Sequence, residues 1–314
     1  MFWNDAGPRC RVISDNDYAG DPDGLFQLAH LLLSPSAEVR AVIGSHLDQG
    51  SGFVPGPSAA RAHQRVTELL DLLGLAGQVP AYQGTELPLA GTGTPRESDA
   101  AAAIVAEAMR TDTDTALPLY ATFGGGLTEL ASAYLLEPRI ADRLTAIWIG
   151  GPEYPDLASP PPGALHPEYN LNIDLAAAQV VFDSPIPLWQ VPRDAYRQVL
   201  VGMAELHAAV APAGRLGAYL FDRLREAITR IGEVGIHMGE TFVLGDSPLV
   251  LLTALQSAFE PDPSSSRHVT RPAPRITDDG GYAPWPEGRL IRVYTQVDTR
   301  LIVGDLFAKL AAHA

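Results

Sequence analysis

The sequence predicts an α/β fold built on one open, mostly parallel (Rossmann-like) sheet with helices on both faces. Short β-prone apolar runs alternate with helical stretches along nearly all of the 314-residue chain, which is the pattern of repeated βαβ units. Hydrophobic residues make up 46% of the chain and charged residues 19%, a balance typical of globular proteins. Because no long polar linker interrupts the alternation, residues 1–314 are predicted to form a single domain.

The first βαβ unit carries the strongest signal. Residues 10–14 are β-prone, residues 25–33 have a helical pattern that stops at Ser34-Pro35, and residues 39–44 are predicted to form the second strand. The later elements follow in the same alternation. Helices are predicted over 60–73, 99–110, 127–136, 175–182, 203–231, 248–259 and 301–313, and strands over 79–82, 117–122, 144–149, 186–191 and 290–296.

Composition excludes several classes of function. Cys10 is the only cysteine, so neither an intrachain disulfide nor a cysteine-based zinc cluster can form. The net charge is −15, and the sequence contains no dense run of Lys or Arg, which argues against nucleic-acid and anionic membrane partners. Residues 1–5 lack the features of a signal peptide, and no apolar run reaches the roughly 18 residues that span a bilayer. A cytoplasmic location is therefore expected.

An acidic loop after the first strand is the most informative feature of the sequence. Asp15, Asp17, Asp21 and Asp23 lie within a stretch of nine positions between that strand and the first helix. Carboxylates held close together repel one another unless a cation compensates, and an oxygen-only cluster suits Ca²⁺ or Mg²⁺. The alternative is a solvated turn with an Asp capping the helix.

Three further segments place polar or flexible residues after predicted strands. Residues 123–128 contain three glycines at a strand-to-helix turn, where the backbone can approach a ligand. Residues 166–174 include Glu168 and Asn170, whose side chains can bond sugar hydroxyls. Asp246 follows a short apolar run and begins a helix. Each segment also has an ordinary structural explanation as a turn or a helix cap.

Taken in order, these segments resemble the inosine–uridine nucleoside hydrolase family. The acidic loop is similar to the family's opening Asp-x-Asp and Asp-Asp signature, with two extra residues. The similarity extends from about residue 12 to about residue 310. The other matching segments are 125–131, 136–140, 149–151, 168–174, 191–194 and 246–249.

The resemblance implies a nucleoside hydrolase fold and calcium-dependent hydrolysis of the N-glycosidic bond of a ribonucleoside or related N-riboside. It also implies a nucleoside as substrate and a homodimer or homotetramer as the assembly. The residue roles that it implies are Asp17 as calcium ligand and activator of the attacking water, the Gly124 carbonyl and Asp246 as calcium ligands, Glu168 and Asn170 as ribose ligands, Asp23 as a sugar contact, and His46 as a ligand contact.

The sequence departs from the family pattern at two of these places. Gly24 stands where the family has a calcium-binding Asp, so Asp21 or Asp23 must supply that ligand. Gly245 stands where many members have a histidine that protonates the leaving base, and His237 and Glu240 are then the candidates for that catalytic role. The identity of the base stays open.

Two other functions compete with hydrolysis. The missing Asp and His also fit a calcium-dependent protein that binds a ribosyl ligand without turnover. The Asp-x-Asp pattern after the first strand is also found in haloacid-dehalogenase-like phosphatases. Ala19 and the presence of a single lysine, Lys309, argue against that class.

Overall fold

A computed structural model describes residues 7–48, 56–111, 117–233, 235–256 and 265–314. The strands are β1 Cys10–Asn16, β2 Ala37–Gly44, β3 Ala81–Gln83, β4 Leu119–Phe123, β5 Thr145–Ile149, β6 Leu188–Val191, β7 Leu200–Gly202, β8 Thr241–Val243, β9 Arg267–Pro272, β10 Arg275–Ile276, β11 Tyr282–Ala283 and β12 Leu290–Gln296. The helices are α1 Asp23–Leu32, α2 Ser58–Leu72, α3 Asp99–Ala108, α4 Thr128–Leu136, α5 Tyr169–Ile173, α6 Leu175–Asp183, α7 Arg193–Tyr196, α8 Met203–Ala209, α9 Gly214–Glu233, α10 Pro248–Leu251 and α11 Thr299–His313.

Eight strands form one sheet in the order β3-β2-β1-β4-β5-β6-β12-β9. Every neighbouring pair is parallel except β12 with β9, which confirms the predicted α/β class. The chain builds outward from β1 to β3 and then returns to place β4 on the other side of β1. Loops that follow strands on the two sides of such a reversal diverge, and the crevice between them is where open α/β sheets bind ligands.

Both faces of the sheet are covered. Successive strand residues point to opposite faces, and on β2 Val42 and Ile43 accordingly belong to two different clusters of buried side chains. The first cluster includes residues of α1, α2 and α9, and the second includes residues of α3, α4 and α6. This packing explains why the central strands are apolar on both sides, as in other parallel sheets.

Two predicted helices differ from the observed ones. Residues 203–231 form two helices, α8 and α9, separated by a turn that contains Pro212, whose ring cannot continue a helix. The helix predicted over 248–259 ends at Leu251 and is followed by a turn, and residues 257–259 lie outside the described part of the chain. Within the described residues, no helix combines the length and apolar character that crossing a membrane requires.

Candidate active site

A cavity of about 320 Å³ opens where β1, β4 and β5 end. Its position at the carboxyl edge of the sheet, across the β1–β4 reversal, agrees with the rule for ligand sites in open α/β sheets. The cavity is lined by Asp17, Gly20, Asp21, Asp23, Gly124, Ile149, Leu165, Tyr169, Asn170, Tyr196, Arg197, Ala227, Arg230, Ile231, Val243, Gly245 and Asp246.

The cavity has an acidic floor. Asp17 and Asp246 are only 8% and 3% exposed, although they are 229 positions apart in the chain. Burial raises the pKa of Asp17 well above its ordinary value, and the nearby charges of Asp246 and Asp21 raise it further. Burial also raises the pKa of Asp246 to about 7, against the opposing effect of a hydrogen bond from Asn16. These directions are those expected when carboxylates share a poorly solvated space.

Asp21 and Asp23 both line the cavity, but their carboxylates are engaged differently. Asp23 Oδ1 accepts a bond from the backbone N–H of Gly24 at 2.9 Å, and its Oδ2 accepts one from the N–H of Asp246 at 3.2 Å. The Asp23 carboxylate therefore links the start of α1 to the Asp246 segment. Asp21 is exposed, and its Oδ1 accepts a bond from the backbone N–H of Asp23 at 3.2 Å.

Asn16 fills the space that two glycines leave beside the acidic floor. Its Nδ2 donates to Asp246 Oδ2 at 2.9 Å, and its Oδ1 accepts from the Asp17 N–H at 2.8 Å. A Cβ atom added to Gly24 would lie 2.9 Å from Asn16 Nδ2, and one added to Gly124 would lie closer still. Side chains at positions 24 and 124 are therefore incompatible with this placement of Asn16, which holds Asp246 against the end of β1.

The two predicted ribose ligands have different surroundings. Asn170 lines the cavity, and its Nδ2 donates to the carbonyls of Ile149 at 2.8 Å and Gly124 at 3.1 Å. Glu168 is fully buried and does not line the cavity. Its carboxylate accepts the N–H groups of Gly151 and Leu171 and the hydroxyl of Tyr196 at 2.7, 3.0 and 2.8 Å. Because Glu168 caps α5, the structure gives its predicted ribose contact no support.

The two predicted histidines do not line the cavity. His46 is 1% exposed, and its ring bonds Thr128 Oγ1 at 3.0 Å and the Leu47 carbonyl at 3.1 Å. His237 is exposed in the segment after α9, so the structure does not bring it to the place where a leaving base would depart. Asp15 lies behind Asp17, buried and bonded to the Ser45 hydroxyl, and it too is outside the cavity lining.

Sequence reasoning missed the residues on the outer part of the cavity. Tyr196 and Arg197 come shortly after β6. They could have been predicted, because ligand-binding residues in such sheets follow the strands. Arg230 and Ile231 lie near the end of α9 and carry no local signal. Leu165, which is 66% exposed, belongs to the proline-rich loop between β5 and α5.

A buried ion pair holds that proline-rich loop in place. Arg193 at the start of α7 pairs with both carboxylate oxygens of Glu153 at 2.7 and 2.6 Å. Its Nη1 also donates to the carbonyl of Leu165 at 2.8 Å. The side chains of Glu153 and Arg193 are 2% and 10% exposed. One guanidinium thus connects the beginning of the loop to the residue that borders the cavity.

We expect Glu153→Gln to destabilise the protein by roughly 1.5–3 kcal/mol, because a charge-assisted pair is lost and Arg193 stays buried. Thermal unfolding checks the stability, and limited proteolysis checks whether residues 152–167 are released. Asp156→Asn is the matched control on the same loop. Its partner is Arg271 at 2.9 Å, but Asp156 is 64% exposed, so the effect should be small. Equal stability losses in the two variants would contradict the role given to the buried pair.

The family of the chain follows from comparison with known proteins. The model of the inosine-uridine preferring nucleoside hydrolase family matches residues 12–300. The chain belongs to this family. As a nucleoside hydrolase it is an N-glycosyl hydrolase that acts on nucleosides, and this membership removes the support for the phosphatase alternative. No curated protein sequence matches the chain.

Solved structures share the fold of this nucleoside hydrolase at low sequence identity. The purine-preferring ribonucleoside hydrolase from Gardnerella vaginalis has a TM-score of 0.73 and 19% identity, covering 96% of this chain and 98% of that one. The inosine-uridine preferring nucleoside hydrolase from Bacillus anthracis has a TM-score of 0.64 and 15% identity, covering 97% and 100%. These likenesses establish the nucleoside hydrolase fold, whereas the predicted homo-oligomer stays a prediction.

Proposed function

We propose that this nucleoside hydrolase cleaves a ribonucleoside, or a close N-riboside relative, with the help of a Ca²⁺ ion bound at the acidic floor of the cavity. The observation that carries the proposal is the meeting of Asp17 and Asp246, two buried carboxylates from distant parts of the chain, at the edge of one cavity. Burial raises the pKa of both carboxylates, and the charge of Asp246 raises that of Asp17 further, so keeping both ionised is costly to the fold unless a cation compensates them.

The donor atoms at this place suit calcium. The side chains of Asp17, Asp21 and Asp246 and the carbonyl of Gly124 offer only oxygen to the cavity, and oxygen is what Ca²⁺ prefers. In the ranges that the structure describes, no three His, Cys, Asp or Glu side chains converge closely enough to hold a metal by themselves. Asp17, Asp246, the Gly124 carbonyl and water molecules would then form most of the shell, and a further carboxylate would have to move toward the ion to join it, since Ca²⁺ accepts six to eight ligands including water.

Asp21, rather than Asp23, is the better candidate for the ligand that Gly24 cannot supply. Both oxygens of Asp23 already accept backbone N–H groups, whereas Asp21 is exposed at the edge of the same cavity. Asp23 keeps its predicted role at the sugar through its place on the cavity wall. When bound, a calcium ion orients a water molecule and lowers its pKa.

Asp17 is the proposed proton acceptor. In the reaction, the water oxygen forms a bond to C1′ of the ribose while the bond from C1′ to the base nitrogen breaks. The electron pair of that bond leaves with the nitrogen, and the proton of the water passes to the Asp17 carboxylate. Positive charge develops on the sugar ring in such a reaction, and the acidic floor stabilises it. The side-chain NH₂ group of Asn170 donates to two backbone carbonyls. Its side-chain oxygen can therefore accept a hydrogen bond from a ribose hydroxyl.

Incubation with a panel of purine and pyrimidine nucleosides tests the function directly. With Ca²⁺ present, we expect release of free ribose, measured as reducing sugar, and loss of that release after chelation with EGTA. Ribose release that is unaffected by chelation would contradict the proposed calcium dependence but not the proposed hydrolysis. Absence of release from every nucleoside, with folded protein and added Ca²⁺, would overturn the hydrolase proposal for this chain.

Binding without turnover is the second candidate. Gly24 stands at an acidic position of the family pattern, so one carboxylate fewer is available to an ion, and Asp246 Oδ2 already accepts a hydrogen bond from Asn16. Isothermal titration calorimetry with the same nucleosides separates the two functions. Tight, calcium-dependent binding without ribose release favours a binding protein, and release of ribose excludes it.

A further inference from the structure

The cavity of this enzyme is lined by residues of opposite charge. Asp17 and Asp246 are buried at the sheet edge, whereas Arg197 and Arg230, which line the same cavity, are exposed. This difference in exposure places the two arginines nearer the solvent than Asp17 and Asp246, and the exposed Asp21 is the one carboxylate at the open edge among the described lining residues. Under the function proposed above, on which the inference rests, the ribose lies at the floor and the base extends toward the arginines.

Gly245 lies close to two other residues that line the cavity, Tyr196 and Asp23. A Cβ atom on Gly245 would lie 3.3 Å from Cδ2 of Tyr196 and 3.2 Å from Oδ2 of Asp23. The Tyr196 ring therefore occupies the space beside Gly245, and its hydroxyl donates to Glu168 at 2.8 Å. Tyr196 thus lines the cavity with its ring, while its hydroxyl proton is donated to the buried Glu168 carboxylate.

The lining residues also restrict how a departing base is stabilised. Among the described residues that line the cavity, none is a histidine, lysine or cysteine. Cleavage of the C1′–N bond leaves an electron pair on the base nitrogen. For a base bound through a neutral nitrogen this is a negative charge, which requires either a proton or a nearby cation. A guanidinium group does not give up its proton, but it pairs with anions in a bidentate geometry.

We propose that the preferred substrate is an N-riboside whose base carries a carboxylate, bound by Arg197 and Arg230 at the open end of the cavity. A carboxylate is the planar anion that a guanidinium group pairs with best. The arginines also attract the electron pair that leaves with the base. An anionic leaving nitrogen, as in orotidine, takes its proton from solvent after release, whereas a pyridinium nitrogen, as in nicotinate riboside, leaves neutral and needs none. A 5′-phosphate on the ribose would lie against the acidic floor and be repelled by it, so the anionic group belongs on the base.

The test uses substrate pairs that differ only in the carboxylate. Orotidine is compared with uridine, and nicotinate riboside with nicotinamide riboside, in each case by kcat/KM with Ca²⁺ present. We expect the carboxylate member of at least one pair to be preferred at least about tenfold, which corresponds to about 1.4 kcal/mol. The double variant Arg197→Gln, Arg230→Gln should remove most of this preference. Arg225→Gln is the control on the same helix, since Arg225 is 70% exposed, lies near Asp222 and does not line the cavity.

Each outcome decides the inference. Preference for the neutral member of both pairs, or an unchanged ratio in the double variant, overturns it. Preference for uridine 5′-monophosphate over uridine and orotidine also overturns it, because the anion would then be recognised on the ribose side. If no riboside is cleaved, the hydrolase proposal fails separately. Calorimetry with the same pairs then decides the inference, and equal affinities for the acid and the neutral compound count against it.

Discussion

Asp17→Asn is expected to reduce kcat by about 10²–10⁴-fold, the range that a positioned general base contributes. The asparagine side chain has nearly the same shape as that of aspartate but cannot accept the proton of the attacking water. Asp17 is buried on the cavity wall next to Gly125, so the substitution removes a charge and little volume. Ribose release over a range of nucleoside concentrations, measured with saturating Ca²⁺, gives kcat and KM separately.

Stability provides the check that the loss is chemical. Because the folded pKa of Asp17 is raised, its ionised form is disfavoured in the fold, and stability falls as the pH rises from the unfolded pKa toward the folded one. Without added metal, Asp17→Asn should therefore unfold at the same temperature as the wild type at pH 7, or at a higher one. Asp222→Asn, at a position 60% exposed, should change neither property. Near wild-type turnover in Asp17→Asn would remove Asp17 from its role as base.

Asp246→Ala is expected to weaken Ca²⁺ binding by more than about tenfold. A carboxylate about 4 Å from a cation interacts with it by several kcal/mol at an effective dielectric constant of about 20. Asp246 is almost fully buried and is held in position by Asn16, so a neighbouring carboxylate cannot easily replace it. Isothermal titration of metal-free protein with CaCl₂ measures the affinity, and Asp222→Ala is the control.

The pH gives a second measurement on the same residue. The pKa of Asp246 is raised to about 7 by burial, so protons compete with the ion at and below that pH. Calcium affinity of the wild type should fall between pH 8 and pH 6, and Asp246→Ala should show a smaller fall. Wild-type calcium affinity in Asp246→Ala at both pH values would show that the ion, if bound, lies elsewhere.

The order of strands and helices was predictable because it depends on local patterns. The buried strands β1, β4 and β5 are short apolar runs, and their sequence positions were predicted to within about two residues. Strands with polar, half-buried sequences gave no such pattern. The antiparallel strand β9 has the sequence RHVTRP and lies at the edge of the sheet. An edge strand is less buried than a central strand and can therefore be polar, so its pairing is visible only in the fold.

By itself, the sequence determined which residues follow the buried strands β1 and β4, and therefore that Asp17 and Gly124 come to one edge of the sheet. That result follows from topology, since the carboxyl ends of parallel strands share an edge. Only the tertiary structure decided that Asp246, which follows β8 outside this sheet, joins them, and which of the polar groups face the cavity. From the sequence, the Glu168 carboxylate and the His46 ring were both predicted to contact a ligand. In the fold, both groups form hydrogen bonds with other protein groups. A buried polar atom bonds whatever donor or acceptor is nearest, and nearness across the chain is set by packing rather than by local sequence.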